Sequence, residues 1–317
     1  MKEKPAVTLS ASKLKTLETC SWSYWCSYHL KIPQKNNEGA LRGTICHLVF
    51  ELLLKKKHKK HFSSIVNSGE ITGSEAVNRM VIRNLEKVKI YTPENYTLVN
   101  KMILVGLKED FYGKGGKLGE AETEFNISNE DPKYKIKGFI DKIVFYEKDE
   151  SIKIVDYKSS KSRFRGEELN ANFQAMMYSL ASNTLWPNFK KVLVEFLFLR
   201  FPTKPSQVVE ISEDQKKGFQ RYLGHIYNVI LKFNEKAATS NYAAHNFESK
   251  WMCKAGATWR CPYLDPVDYY VVLNEGEEII KSSFENKFSL EKGQKVEKRK
   301  YEGCPAHYSK KSGENNF

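Results

Sequence analysis

Residues 137–158, KGFIDKIVFYEKDESIKIVDYK, decide how the rest of the chain is read. They read as a β-hairpin. The first arm, Ile136–Tyr146, is rich in β-branched and aromatic residues, the turn is the charged run Glu147–Glu150, and the second arm is Ile152–Lys158. Two acids, Asp141 and Asp156, interrupt the apolar arms, and Lys158 follows the second. Side chains two apart on a strand share a face, so Asp156 and Lys158 point the same way. Antiparallel pairing lets Asp141 approach them from the neighbouring arm. Two carboxylates and an ammonium on a β-surface suit a hard divalent cation, with the lysine facing a phosphate oxygen or an attacking water. The bland alternative is an exposed ion pair, which contributes little. Charges set between Ile140 and Ile143, or behind Val155, are costly unless paired or metal-bound, which favours the functional reading.

The chain has 317 residues, with 18 Phe, 17 Tyr and 5 Trp, enough apolar surface for a globular core. Its 51 basic and 38 acidic side chains leave a net charge of +13, which favours a polyanionic partner, nucleic acid before an anionic membrane. Lysine is spread along the whole chain, so the charge alone is weak evidence. No apolar run reaches the roughly 18 residues of a membrane span, and the opening MKEKPAVTLSAS lacks the apolar core of a signal peptide. The expected compartment is cytoplasmic, where the six cysteines are reduced or metal-bound rather than disulfide-paired.

Working outward, residues 9–30 suggest a short capped helix carrying Leu14 and Leu17, then a cluster of Cys20, Trp22, Tyr24, Trp25 and Cys26 that reads as packing. Residues 40–57 read as a buried helix, with His47 and Glu51 four apart on one face. A lone histidine there is ordinarily a core residue; an acid on the same face makes a metal role more credible. KKKHKKH, residues 55–61, is most simply a solvated helix end. Two amphipathic helices follow within 74–112, the second starting after Pro93. GKGGKLG (113–119) lacks phosphate-loop spacing and reads as a linker. EAETEFNI (120–127) reads as a strand leading into the hairpin. Beyond the hairpin lie a basic loop with Lys161, Arg163 and Arg165, a helix over about 170–185 with Gln174 and Tyr178 on one face, and a buried strand over 191–201. A long helix through Leu231 starts at a capping box of Ser212 and Gln215, and residues 247–317 read as irregular.

In order, the chain carries G-T-I-C-His47-x-x-x-Glu51, G-F-I-Asp141, I-V-Asp156-Tyr157-Lys158 and Gln174-x-x-x-Tyr178, after an opening L-S-A-S-K-L…C. This set resembles the RecB-type branch of the PD-(D/E)XK nuclease superfamily, which includes nuclease domains of bacterial helicase–nucleases and CRISPR-associated exonucleases. The resemblance covers about residues 9–200. It implies an α/β fold with a central mixed β-sheet flanked by helices, a helical N-terminal part and an irregular C-terminal part, all one domain over 1–317 (helical part 9–112, core 119–201, C-terminal helix and cysteine-containing tail 212–317). Carried over, it implies His47, Asp141, Asp156 and the Tyr157 carbonyl as ligands of Mg²⁺ or Mn²⁺, Lys158 as the catalytic lysine, and Gln174 and Tyr178 lining the site. Asp156 stands where much of the superfamily has Glu; Asp is normal in this branch.

The implied activity is metal-dependent DNA hydrolysis, exonucleolytic, in replication, recombination or repair. The partners are single-stranded DNA or duplex ends and, because no motor phosphate loop is present, a separate helicase or recombination protein. Lys161, Arg163 and Arg165 then read as a phosphate track. A non-catalytic DNA-binding or assembly subunit on the same fold is the competing reading; a hydrolase of small phosphoesters fits the basic and aromatic content less well.

Several RecB-type nucleases also hold a [4Fe–4S] cluster with one cysteine before the core and three after it. Cys20 stands in the matching place, and Cys261-Pro262-Tyr263 looks like part of the later group. The spacing departs from the family's: seven residues separate Cys253 from Cys261, position 267 is valine, and Cys304 lies far downstream. Ordinary buried thiols are the alternative; zinc is a lesser one, there being no CxxC pair.

Overall fold

The computed structural model describes residues 7–35, 37–108, 110–130, 133–253 and 260–307. In chain order the elements are β1 (Val7–Leu9), α1 (Ala11–Thr19), α2 (Ser21–Tyr24), α3 (Glu38–Leu54), α4 (Lys59–Ser68), α5 (Glu75–Lys87), α6 (Pro93–Lys108), β2 (Lys117–Leu118), β3 (Thr123–Asn129), β4 (Tyr134–Ile140), β5 (Lys142–Tyr146), β6 (Ser151–Lys158), α7 (Phe173–Leu185), β7 (Lys191–Phe198), β8 (Ser206–Glu210), α8 (Glu213–Leu231), α9 (Glu235–Ala238), β9 (Val267–Leu273), β10 (Ile279–Ser283) and β11 (Lys295–Tyr301). The fold is mixed α/β, with sheets flanked by helices, of the restriction-endonuclease-like kind. The chain divides into two compact units: Met1–Ala11 with Asn36–Tyr227, and Ser12–Lys35 with Asn228–Phe317.

The first unit holds two sheets. The larger runs β2-β5-β6-β7-β8 and is mixed, with β6 and β7 parallel and the other pairs antiparallel. The parallel pair needs a crossover, and α7 supplies it. The smaller runs β1-β4-β3, with β1 parallel and β3 antiparallel to β4. Local chemistry fixes the helix starts. Asn37 Oδ1 accepts from Ala40 N (2.8 Å) at α3, and Asn172 Oδ1 accepts from Gln174 N (3.0 Å) and Ala175 N (3.1 Å) at α7. At α8 the Ser212–Gln215 capping box forms in both directions, at 2.9 and 3.2 Å. One core cluster packs α3, α5 and α6 beneath β6 and β7, with Ile45, Val49, Phe50 and Leu53 of α3 against Val155, Tyr157 and Leu197.

Two expectations from sequence need correcting. The stretch 136–146 is not a single hairpin arm. β4 stops at Ile140, the chain bends at Asp141, and β5 starts at Lys142 in the other sheet. The bend is pinned from both sides: Asp141 Oδ2 accepts from Tyr157 N of β6 (2.8 Å), and Asp141 O accepts from Glu122 N (3.2 Å). The true hairpin is β5–β6, its turn closed by Glu150 at φ 44°. Residues 247–317 are also more regular than their charge suggests. They hold the antiparallel sheet β10-β9-β11, built on the buried apolar face of VDYYVVL, while β11 (KVEKRKY) is charged along its length and buried only at Tyr301.

The second unit packs Trp22, Cys26, Ile32, Tyr263, Tyr269, Val271 and Tyr301 into its own core. Trp22 Nε1 donates to Tyr301 Oη (2.8 Å), which lies 2.8 Å from Tyr263 O. A π-helical turn, Trp25–His29, follows α2. Among the described residues no helix is long and apolar enough to cross a membrane.

Candidate active site

The site lies in the first unit, where β4 bends into β5 beside the C-terminal end of β6. Asp156 and Lys158 occupy alternate positions on β6, as period-two geometry requires. Asp141 reaches them from the bend. α3 brings His47 over the same point because Gly43, one turn earlier, carries no side chain: a Cβ there would lie 2.5 Å from Ser159 Oγ, just past β6. α7 aims Gln174 and Tyr178, one turn apart, at β6 from its other face.

Each aspartate has one oxygen held by hydrogen bonds and one that faces a basic side chain. Asp141 Oδ2 takes the Tyr157 amide, while Oδ1 lies 3.3 Å from His47 Nδ1. Asp156 Oδ2 accepts from Gln174 Nε2 (2.5 Å) and sits 2.9 Å from Tyr178 Oη. Asp156 Oδ1 is buried and has no hydrogen bond; Lys158 Nζ approaches it to 2.6 Å, as an ion pair off the hydrogen-bonding direction. Lys158 Nζ itself donates to Gln174 Oε1 (2.7 Å), so one amide orients both the carboxylate and the ammonium. Tyr178 Oη also lies 2.8 Å from Phe139 O, which ties the end of β4 into the network.

His47 Nε2 is 3.0 Å from Tyr157 O, and Nδ1 lies 3.8 Å from Glu122 Oε1. Burial alone would lower its pKa, but hydrogen bonds to Asp141 and Glu122 and the nearby carboxylate charges outweigh that and push it up to about 10. Asp141 is raised by burial and by Asp156. The carboxylates around His47 raise it against the effect of burial, while burial and then the Asp156 charge raise Asp141, so a positive charge at this point is favoured. His47, Glu122 and Asp141 each place a ligand atom within 4.8 Å of the others, the spread of a cation's coordination shell. A cleft of about 470 Å³ opens over His47, Glu122, Gly43, Glu51 and Ser159.

The structure therefore brings together His47, Asp141, Asp156, the Tyr157 carbonyl, Lys158, Gln174 and Tyr178. Glu51 turns instead to Lys55 (2.7 Å). In the basic loop, Arg163 is engaged by Lys204 O (2.5 Å) and the Phe201 ring, while Lys161 and Arg165 are exposed. Glu122 was missed from sequence. EAETEFNI offers three alternating acids, and only the strand register tells which one meets Asp141.

A family model of the PD-(D/E)XK nuclease superfamily matches residues 8–265. The chain belongs to that superfamily. Asp141, Asp156 and Lys158 lie within the matched stretch. The solved structures similar to this nuclease include a protein from Eubacterium rectale named provisionally as an exonuclease (10% identity, TM-score 0.45, covering 78% of this chain and 93% of that one). Another is SSO0001 (16% identity, TM-score 0.29, covering 68% of this chain and 86% of that one). Comparison with curated protein sequences finds no match.

The four cysteines Cys20, Cys253, Cys261 and Cys304 line one cavity of about 260 Å³ in the second unit, with Trp22, Tyr242 and Tyr263. Burial pushes the Cys261 and Cys304 thiols up to about 11, and the neighbouring cysteines add to the rise.

Proposed function

We propose that this PD-(D/E)XK protein is a divalent-metal-dependent deoxyribonuclease of the RecB-type branch, acting as an exonuclease in DNA replication, recombination or repair, with residues 1–317 working as one module. The observation that carries the reading is the pair of buried aspartates, each with one oxygen hydrogen-bonded and the other facing a basic side chain, His47 for Asp141 and Lys158 for Asp156. Asp141 Oδ1, Asp156 Oδ1, the Tyr157 carbonyl and His47, with Glu122 at the rim, form a mixed oxygen and imidazole donor set that suits Mg²⁺ and, through the imidazole, Mn²⁺ rather better. A cation bound there supplies charge neutralisation at the scissile phosphate and a more acidic water.

The chain's own residues do the rest. Gln174 and Tyr178 hold Asp156 in one rotamer. Lys158 is held 2.7 Å from Gln174 Oε1 with its remaining protons free to meet a phosphate oxygen, stabilising the charge that grows as water adds to phosphorus and the ester oxygen departs. Lys161 and Arg165, exposed in the loop after β6, would meet the flanking phosphates. DNA is the expected partner, with a separate helicase or recombination protein, in the cytoplasm.

A second cofactor reading rests on the cysteine cavity. Among the described residues, the cysteines do not form a set of three with sulfurs within 4.8 Å of one another. Tetrahedral zinc, with Zn–S bonds of about 2.3 Å, needs sulfurs roughly 4 Å apart. A polynuclear [4Fe–4S] cluster, which spans more widely, is the cofactor proposed for the four cysteines that line this cavity.

The test of the nuclease reading is digestion of end-labelled linear and closed-circular DNA, single- and double-stranded, with Mg²⁺, Mn²⁺ or EDTA. Metal-dependent loss of linear but not circular substrate is expected. A purified protein that cleaves nothing in Mn²⁺ leaves the non-catalytic subunit instead.

A further inference from the structure

The β3–β4 ladder runs straight into the metal site. Its last paired residues are Thr123 and Ile140; just beyond them Glu122, in a turn at φ 52°, donates its N–H to Asp141 O at the bend. Within the ladder side chains alternate, so its outer face carries Glu124 opposite Phe139, the pair nearest the two acids in sequence, then Asn126 opposite Lys137, and Ser128 opposite Lys135. The other face is core: Phe125, Tyr134, Ile136 and Ile140 are all buried. Successive rungs on the outer face lie about 6.8 Å apart, two residues of strand rise. Read outward from the acids, that face offers an aromatic ring and then two ammonium groups.

An exposed apolar side chain is ordinary when it stands alone. Phe139 does not stand alone. Its ring is 48% exposed while its own carbonyl is bonded to Tyr178, which touches Asp156, so the ring sits on backbone fixed to the site. Lys137 Nζ lies 5.6 Å from the Phe139 centroid and 2.7 Å from Glu124 Oε1. That ion pair is half exposed, and such pairs contribute little, so a phosphate can replace Glu124 at small cost.

We propose that this face is the track along which a single strand of nucleic acid enters the site. The base beside the scissile phosphate stacks on Phe139, and the next phosphates meet Lys137 and Lys135. A duplex offers no unstacked base face to such a ring, so the track selects single strands or frayed ends. The inference rests on the nuclease reading and adds the form of the substrate and its direction of approach. It assigns Glu124 a restraining role: the carboxylate holds Lys137 in the free protein and opposes the incoming phosphate.

The experiment is fluorescence anisotropy of end-labelled oligothymidylate and of a blunt duplex, in EDTA so that nothing is cleaved, across a salt series. Phe139→Ala should weaken single-strand binding about tenfold, within the range for losing one stacked base, and leave duplex binding nearly unchanged. Phe139→Tyr should bind like wild type. Lys137→Ala should lower the salt slope by about 0.7, one phosphate on a single strand. Glu124→Gln should tighten binding, a gain that misfolding does not produce. Lys148→Ala, in the β5–β6 turn, is the off-track control. Phe139→Ala and Glu124→Gln binding like wild type, or Lys148→Ala matching Lys137→Ala, overturns the track. Should wild type still cleave DNA in that case, only the track falls; should it neither bind nor cleave any nucleic acid, the nuclease reading falls too.

Discussion

At the scale of single residues, the site is a way of keeping charge inside a sheet. Asp156 is 3% exposed, and a carboxylate so deep is costly unless it is paired; Gln174, Tyr178 and Lys158 supply its hydrogen-bond and ion-pair partners. Asp156→Ala removes a metal ligand while the core around it stays apolar, so cleavage should be lost while folding and DNA binding in EDTA are kept. Lys158→Ala should lower the cleavage rate by about 10²–10³-fold, the usual scale for deleting one charge-stabilising donor. Both variants cleaving at wild-type rates would refute the assignment. His47→Ala and Glu122→Ala should each raise the metal concentration for half-maximal activity by at least about tenfold, with Mn²⁺ remaining the better ion. Asp141, Asp156 and Lys158 were legible because acids inside apolar strands are conspicuous. Glu122 was not, because Glu120, Glu122 and Glu124 share one alternation and differ only in which partner-strand residue lies opposite.

Among the elements, the helix periods and caps were plain in the sequence, and the strand connections were not. Ile136–Tyr146 has the composition of one long strand; it becomes two because Asp141 spends its carboxylate on the Tyr157 amide and turns the chain between sheets. Propensity sees only local residues, and that bond is made across sixteen positions. The placing of α3 depends on close packing too. Gly106 of α6 lies under Phe50 of α3, where a Cβ would sit 2.3 Å from the ring. Phe50 in turn packs on Tyr157 (centroids 4.3 Å), whose carbonyl faces the site. Gly106→Ala should therefore destabilise by about 1–3 kcal/mol despite alanine's better helix propensity, as overpacked cores do. Urea unfolding reads this, and Phe50→Leu in the same chain should restore part of the loss. An Ala variant as stable as wild type would mean that the ring moves aside freely.

The whole molecule is two compact units of unequal size, and the smaller one is where sequence reading reached least far. β11 is charged along its length, so KVEKRKY looks like a solvated loop until its register with VDYYVVL is known. Its chain is also discontinuous, residues 12–35 and 228–317, and a small core of that kind commonly relies on a staple. Cys20 comes from the first segment and Cys253, Cys261 and Cys304 from the second, all lining one cavity. Burial, with the neighbouring cysteines, pushes the Cys261 and Cys304 thiols up to about 11, which favours their neutral form. As thiolates they would repel one another unless iron balanced them. Protein purified without oxygen should then be brown and contain iron and acid-labile sulfide. Cys20→Ser should bleach it and lower the melting transition of the smaller unit, while the core around Val49, Phe50 and Val155 keeps its own. Colourless protein, with neither iron nor zinc by elemental analysis and six titratable thiols after denaturation, would make these four cysteines ordinary packing and leave the two segments joined by the Trp22–Tyr301–Tyr263 core and hydrogen bonds such as Ser21–Asn241 and Tyr269–Leu30.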